Sequence, residues 1–275
     1  MLITKEMEII ADIKKIGFIG FGNMASAIAL GIINAKFLNA NEIIAYDIDE
    51  NKAEKMCSYH IDVAHDIDEL IACSEFIFVG VKPQVVESVL DPYIQKLENK
   101  AIISIALGYD FDRYQTFLDD STRHIFVMPN TPVRVLQGMS LIEEKHSLKD
   151  QEFEFVKNMF SAIGQVEVVS SHLMSTAGTL SGCGPAFVYM MIEALADGAV
   201  KEGVPREMAY TLASQTLMGA AKMQLETHLH PGVLKDQVCS PGGSTICGVE
   251  ALEDGKLRAT LISAISAAVH YQEKK

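Results

Sequence analysis

The residues best placed to do chemistry lie in two runs of small residues at opposite ends of the chain. Near the C-terminus, Ser240-Pro241-Gly242-Gly243 leads into a helix pattern that begins at Ser244 or Thr245. Such a loop exposes unpaired backbone N–H groups at the positive end of a helix dipole, which suits a carboxylate or a phosphate. The same residues also make an ordinary loop with a capped helix after it, and local composition leaves both open. Near the N-terminus, Gly20, Gly22 and Ala25 fit G-x-G-x-x-G/A. There the first glycine permits a tight turn and the second lets a pyrophosphate approach the backbone. The small third residue lets helix pack on strand.

These residues need elements to position them. Residues 15–20 predict a buried strand, 21–25 a turn and 25–33 a helix. A second apolar strand, 42–47, ends in Asp47, 22 positions after Ala25, where a ribose-binding acid is expected. The competing reading of Asp47 is a cap for the next helix, 49–58. Helix and strand then alternate, with strands at 61–64, 76–79, 101–106, 125–128, 139–142 and 166–169. Unbroken apolar strands in such an alternation predict a doubly wound, mainly parallel α/β sheet. Lys82, Ala106-Leu107 and Asn130 follow strand ends, where ligands of these sheets bind.

Past about Ser170 the strand patterns stop. Helices are predicted over 173–180, 185–202, 205–227, 232–238, 244–253 and 256–272, with Pro185 and Pro205 at N-terminal positions and Gly203 past a C-terminus. The expected organisation is a dinucleotide-binding domain over 1–169 and an all-helical domain over 170–275. Residues 187–192 and much of 261–269 are apolar on every side, so these helices need cover that a small domain cannot supply, most simply from a homodimer. Tyr189 and the methionines are expected in the core. Glu193, Asp197 and Lys201 fall at i, i+4 spacing and suggest a charge stripe with an Asp197–Lys201 pair. His228 and His230, two apart, share no helix face and are expected in a loop.

Composition excludes several classes. The formal charge is −13, and the adjacent basic pairs are Lys14-Lys15 and Lys274-Lys275, which disfavours nucleic acid. Five scattered cysteines without a Cys-x-x-Cys pair point to no metal site and to small buried thiols in a reducing cytoplasm. The first residues carry acids inside their apolar stretch and lack a signal-peptide layout. No apolar run is expected to reach the ~20 residues of a membrane span.

Several segments together resemble the pyrroline-5-carboxylate reductase family. They are Ile19-Gly20-Phe21-Gly22-Asn23-Met24-Ala25, Val81-Lys82-Pro83, Ser104-Ile105-Ala106, Met128-Pro129-Asn130-Thr131-Pro132, Leu180-Ser181-Gly182-Cys183-Gly184-Pro185-Ala186, and the stretch from His230-Pro231-Gly232 through Thr245. They stand in the family's order across nearly the whole chain. The resemblance implies a Rossmann-like doubly wound sheet followed by an all-helical dimerisation domain, with dimers often joined into decamers. It implies reduction of L-1-pyrroline-5-carboxylate to L-proline by NAD(P)H. By the same resemblance, residues 19–25 hold the cofactor pyrophosphate. Gly80, Val81, Lys82, Pro83, Ile105, Ala106 and Leu107 border the nicotinamide, with Asn130 nearby. Gln237, Gly242, Gly243, Ser244 and Thr245 receive the substrate. Ser244 and Thr245 offer backbone N–H groups to its carboxylate, and the Thr245 hydroxyl meets the ring nitrogen. The interlocked dimer would turn this loop toward the partner's cofactor.

Two positions qualify the resemblance. Some relatives carry a Glu two residues before His-Pro-Gly, where this chain has His228. Asp47, with Lys52 and Lys55 as the nearest cations and no Arg after the strand, suggests that NADH is accepted at least as well as NADPH. Two other functions are compatible with the build. A hydroxy-acid reductase would need a Lys early in the helical domain, and residues 171–195 contain none. A dinucleotide-sensing protein would bind without turnover.

Overall fold

The apolar run Ile16–Ile19 forms the first strand, β1, of an eight-stranded sheet in the computed structural model, which describes residues 16–272. The N-terminal stretch and the pairs Lys14-Lys15 and Lys274-Lys275 lie outside the described residues. Helix α1 (Asn23–Asn34) leads to β2 (Ile43–Tyr46), and α2 (Glu50–Ser58) to β3 (Asp62–Val63). Then come α3 (Ile67–Cys73), β4 (Phe76–Val79), α4 (Val86–Leu90), β5 (Ala101–Ser104) and α5 (Phe111–Gln115). β6 (Arg123–Met128), β7 (Gly138–His146), α6 (Asp150–Ala162) and β8 (Gly164–Val169) complete the layer.

Strand order is β3-β2-β1-β4-β5-β6-β7-β8. Pairing is parallel except between β6 and β7. Side chains alternate across a strand, so each buried strand feeds two cores. Phe18, Phe78 and Ile103 face one, with α1 and α6, and Phe18 stacks on Phe78 at 4.4 Å. Ile19, Ile77, Val79 and Ile102 face the other, with Leu70 and Tyr114.

The remaining helices are α7 (Ser171–Lys201), α8 (Arg206–Thr227), α9 (Pro231–Val238), α10 (Ser244–Asp254) and α11 (Leu257–Gln272). α7 is continuous, where the sequence predicts two helices separated at Pro185. Proline has no N–H to donate to the carbonyl four residues back, which here is Ser181. Asn130 Nδ2 donates to that carbonyl at 3.0 Å, so the helix runs through with its free acceptor satisfied. The contacts within the chain divide it into two units that meet between Gly182 and Cys183, inside α7. Met174 packs with Phe126 and Leu141, and a Cβ on Gly178 would come within 2.0 Å of the Met128 sulfur, so early α7 belongs with the sheet.

The second unit buries little. Among its described residues, Ala196, Ala209 and Ala213 are the buried ones. Tyr189 and Met190, expected in the core, are 61% and 68% exposed in the single chain. The thiols are not buried either: Cys57, Cys73 and Cys247 are exposed, and Cys183 and Cys239 half-buried. Contrary to the expectation of no apolar run, α7 is long and apolar enough to cross a membrane, by length and composition alone. Asp197 pairs with Arg206, just past the turn, instead of Lys201, and the guanidinium lies over Tyr210.

Candidate active site

Gly20, Gly80, Ile105 and Asn130 all follow the carboxyl ends of the adjacent parallel strands β1, β4, β5 and β6. β1 and β4 are where the strand order reverses, the usual ligand crevice of such sheets. Gly20 has φ +87°, and a Cβ there would meet Val81 Cγ1 at 2.8 Å, so the turn requires glycine. Gly22 differs: its φ is −71°, and a Cβ would meet nothing within 4 Å. The protein's own atoms do not demand glycine at 22, which leaves open space beside the α1 N-terminus for a ligand's backbone approach. That N-terminus has no side-chain cap, and an uncapped helix start of this kind is chemically suited to an anion. Ala25 is buried, and a Cβ on Gly80 would sit 3.0 Å from its methyl, so a small residue at 25 lets α1 close on the sheet.

Asp47 stands at the end of β2. Its Oδ2 accepts from Phe21 N–H at 2.7 Å and from Lys52 Nζ at 2.9 Å, and its Oδ1 accepts from Asp49 N–H at 3.0 Å. The helix cap is Asp49, whose Oδ1 accepts from Asn51 N–H at 3.1 Å, so Asp47 is not the cap of α2. Burial pushes the Asp47 carboxyl up, but the two amides and the Lys52 ammonium outweigh it and hold the group below the usual range. Asp47 thereby ties the Gly-rich turn to the start of α2.

The segment Ile105–Leu107 leaves the sheet over buried polar support. Ser104 Oγ accepts from Ala106 N–H at 3.3 Å. Glu143, buried on β7, accepts from Phe111 N–H at 2.8 Å just beyond that segment. Burial pushes the Glu143 carboxyl up, the Phe111 bond pulls it part of the way back, and the charges of Asp110 and Asp112 push it further up. Leu107 is exposed, Lys82 is exposed at the start of the turn Pro83–Val85, and Val81 is half-buried. Asn130 is buried with both amide atoms engaged: Oδ1 accepts from Met139 N–H at 2.9 Å, and Nδ2 serves Ser181.

In the second unit, α9 ends at Val238 and the turn Cys239–Gly243 leads into α10. Gly242 takes φ +68° in open space. Gly243 is the N-cap without a side-chain cap, and a Cβ on it would strike Ser240 Oγ at 2.4 Å. Gln237, Ser244 and Thr245 are exposed, and neither Gln237 nor the Thr245 hydroxyl has a hydrogen-bond partner among the described residues. His228 adopts a left-handed turn at the end of α8, and His230 Nδ1 accepts from Gly232 N–H at 3.1 Å. Among the described residues no cluster of His, Cys, Asp or Glu could hold a metal.

Three contacts have no unambiguous local signal in the sequence: the Phe21 amide on Asp47, Asp49 as the helix cap, and Arg206 on Asp197. The cap had a signal in Asp49-Glu50-Asn51, with a second candidate cap beside it in Asp47.

Residues 171–275 match the family model described as pyrroline-5-carboxylate reductase dimerisation, and residues 15–108 match one described as NADP oxidoreductase, coenzyme F420-dependent. The chain is 40% identical over 260 residues to pyrroline-5-carboxylate reductase of Arabidopsis thaliana, covering 94% of each. It is 38% identical over 263 residues to that of Escherichia coli K12, covering 95% of this chain and 98% of the other. The crystal structure of Plasmodium falciparum pyrroline carboxylate reductase with NADP bound superposes with a TM-score of 0.85 at 31% identity, covering 94% of this chain and 97% of the other. The exposed apolar faces of α7 agree with the dimerisation match, which supports formation of an oligomer by this chain. Matched at this level across nearly its full length, the chain belongs to the pyrroline-5-carboxylate reductase family.

Proposed function

We propose that this chain reduces L-1-pyrroline-5-carboxylate to L-proline, the last step of proline biosynthesis. Full-length similarity to named reductases carries the reading. When bound, reduced NADPH or NADH supplies a hydride to the imine carbon. The Gly20–Ala25 turn and the uncapped start of α1 hold its pyrophosphate, as the glycine geometry allows. Gly80–Pro83 and Ile105–Leu107 border its nicotinamide. Asn130, with both amide atoms engaged by protein groups, acts there through its position.

The N–H groups of Ser244 and Thr245 at the start of α10 hold the substrate carboxylate, with Gln237 and the Gly242-Gly243 turn beside it. The Thr245 hydroxyl donates to the ring nitrogen, which makes the imine carbon a better hydride acceptor. Reduction adds one hydride and one proton across C=N, so no strong general base is required, and positioning supplies most of the acceleration. The carboxylate of Asp47 suits a ribose 2′-hydroxyl, which supports use of NADH besides NADPH.

The active form is a homodimer, with decamers built from dimers, and sedimentation as a monomer at micromolar concentration would contradict it. Five unbridged cysteines support a cytoplasmic setting. The deciding assay follows loss of reduced-nicotinamide absorbance with pyrroline-5-carboxylate, then the reverse reaction with proline or thioproline at high pH. Turnover is expected in both directions. Cofactor binding without turnover would make the chain a sensor.

A further inference from the structure

The Asp47–Lys52 ion pair has one fixed member and one free member. Asp47 is held by backbone on two sides, through Phe21 N–H and Asp49 N–H, and its side chain is 8% exposed. Lys52 is 34% exposed, and among the described residues its ammonium has no partner except Asp47 Oδ2, at 2.9 Å. It sits in the first turn of α2, whose N-terminal dipole also favours an anion. A lysine carries its charge on a flexible four-carbon stem, so it can leave the carboxylate without any backbone movement.

We infer that Asp47 and Lys52 form a two-position reader of the cofactor's ribose. With Lys52 on Asp47, the remaining lone pair of Oδ1 accepts from a ribose 2′-hydroxyl. With Lys52 swung off Asp47, its ammonium meets a 2′-phosphate and screens that phosphate from the carboxylate. The inference rests on the cofactor site assigned above and specifies how that site treats the two nicotinamide dinucleotides. Asp47 alone would repel a 2′-phosphate, and a bidentate Arg would favour it strongly. A single lysine already shared with a carboxylate does neither, so affinities for the two forms lie within about ten-fold of each other.

The test uses fragments that lack the nicotinamide, so that binding is read apart from turnover. Isothermal titration calorimetry on the full-length oligomer measures ADP-ribose and 2′-phospho-ADP-ribose. Both are expected to bind. Lys52→Met is expected to weaken 2′-phospho-ADP-ribose by about ten-fold, as for one charge-assisted contact on a partly exposed side chain. The same variant should hold ADP-ribose at least as tightly as the unaltered protein. Lys52→Arg should keep 2′-phosphate binding, and raising salt should weaken the phosphorylated ligand more in the unaltered protein than in Lys52→Met. Binding of ADP-ribose alone, or equal losses for both ligands in Lys52→Met, would overturn the reader while leaving the reductase assignment intact. Binding of neither ligand would overturn the cofactor site itself. A variant that fails to fold is recognised by its circular dichroism, and Lys52→Gln then takes its place.

Discussion

Asn130 and Ser181 lie 51 residues apart in sequence and meet in one hydrogen bond, from the Asn130 amide to the Ser181 carbonyl at 3.0 Å. That carbonyl is the one Pro185 leaves without its helical donor. The other end of the same amide accepts from Met139 N–H at 2.9 Å. One buried side chain thus joins the end of β6, the start of β7 and the interrupted turn of α7.

Asn130→Ala leaves an N–H and a carbonyl without partners and is expected to lower the unfolding free energy by about 1–3 kcal/mol. Pro185→Ala would restore the N–H that serves Ser181. Urea denaturation of the two single variants and the double variant should give a smaller loss for Asn130→Ala when it is made together with Pro185→Ala. Strict additivity would remove Pro185 from this account.

Two glycines of one turn should separate folding from binding. Gly20→Ala forces a methyl into φ +87° and against Val81, and is expected to destabilise by about 1–3 kcal/mol. Gly22→Ala meets open space and should change stability by less than about 1 kcal/mol. It should nonetheless weaken dinucleotide binding about ten-fold or more, because its methyl occupies the approach of the pyrophosphate. Undiminished binding by Gly22→Ala would move the cofactor elsewhere.

Thr245→Ala is expected to lower kcat/KM about ten-fold or more, which is about 1.4 kcal/mol of transition-state stabilisation. Thr245→Ser keeps the hydroxyl and should retain most of the activity. Thr245 is exposed, so the melting temperature should hardly move. An unchanged kcat/KM in Thr245→Ala would take its hydroxyl out of the mechanism.

Glu143 sets a pH dependence of stability. Its folded-state pKa is raised, first by burial, above the ordinary carboxylate value of 4.5. The folded chain therefore holds a proton that the unfolded chain has released, and stability falls as pH rises from that value through the raised one. Glu143→Gln keeps an acceptor for Phe111 N–H and removes the titration. Its stability relative to the unaltered protein should climb as pH rises from the ordinary value of 4.5 through the raised one and then level off. A difference flat in pH would mean that Glu143 does not titrate abnormally.

The parallel layer was legible because its strands are unbroken apolar runs and its turns carry glycine where nothing else fits, as at Gly20. The cofactor end was legible by residue type, since a glycine turn and an acid after the second strand are local patterns. The continuity of α7 was not. A proline after Ser-Gly-Cys-Gly reads as a helix start, and only a side chain from residue 130 makes it an interior position. The Asp197–Arg206 pair was hidden for a related reason, because i, i+4 spacing describes one helix while the partner came from the next. Hydropathy places Tyr189 and Met190 in a core, but it does not distinguish a chain's own core from a face that another copy covers.

A helical unit whose interior, among its described residues, amounts to Ala196, Ala209 and Ala213 has little to collapse around while it is alone. Its maturation is therefore a matter of encounter. After dilution from denaturant, recovery of active protein should be second order in chain concentration, slow when dilute and fast when concentrated. In a cell, each new chain would remain open to proteolysis until it met another, which ties the working lifetime of the enzyme to its rate of synthesis.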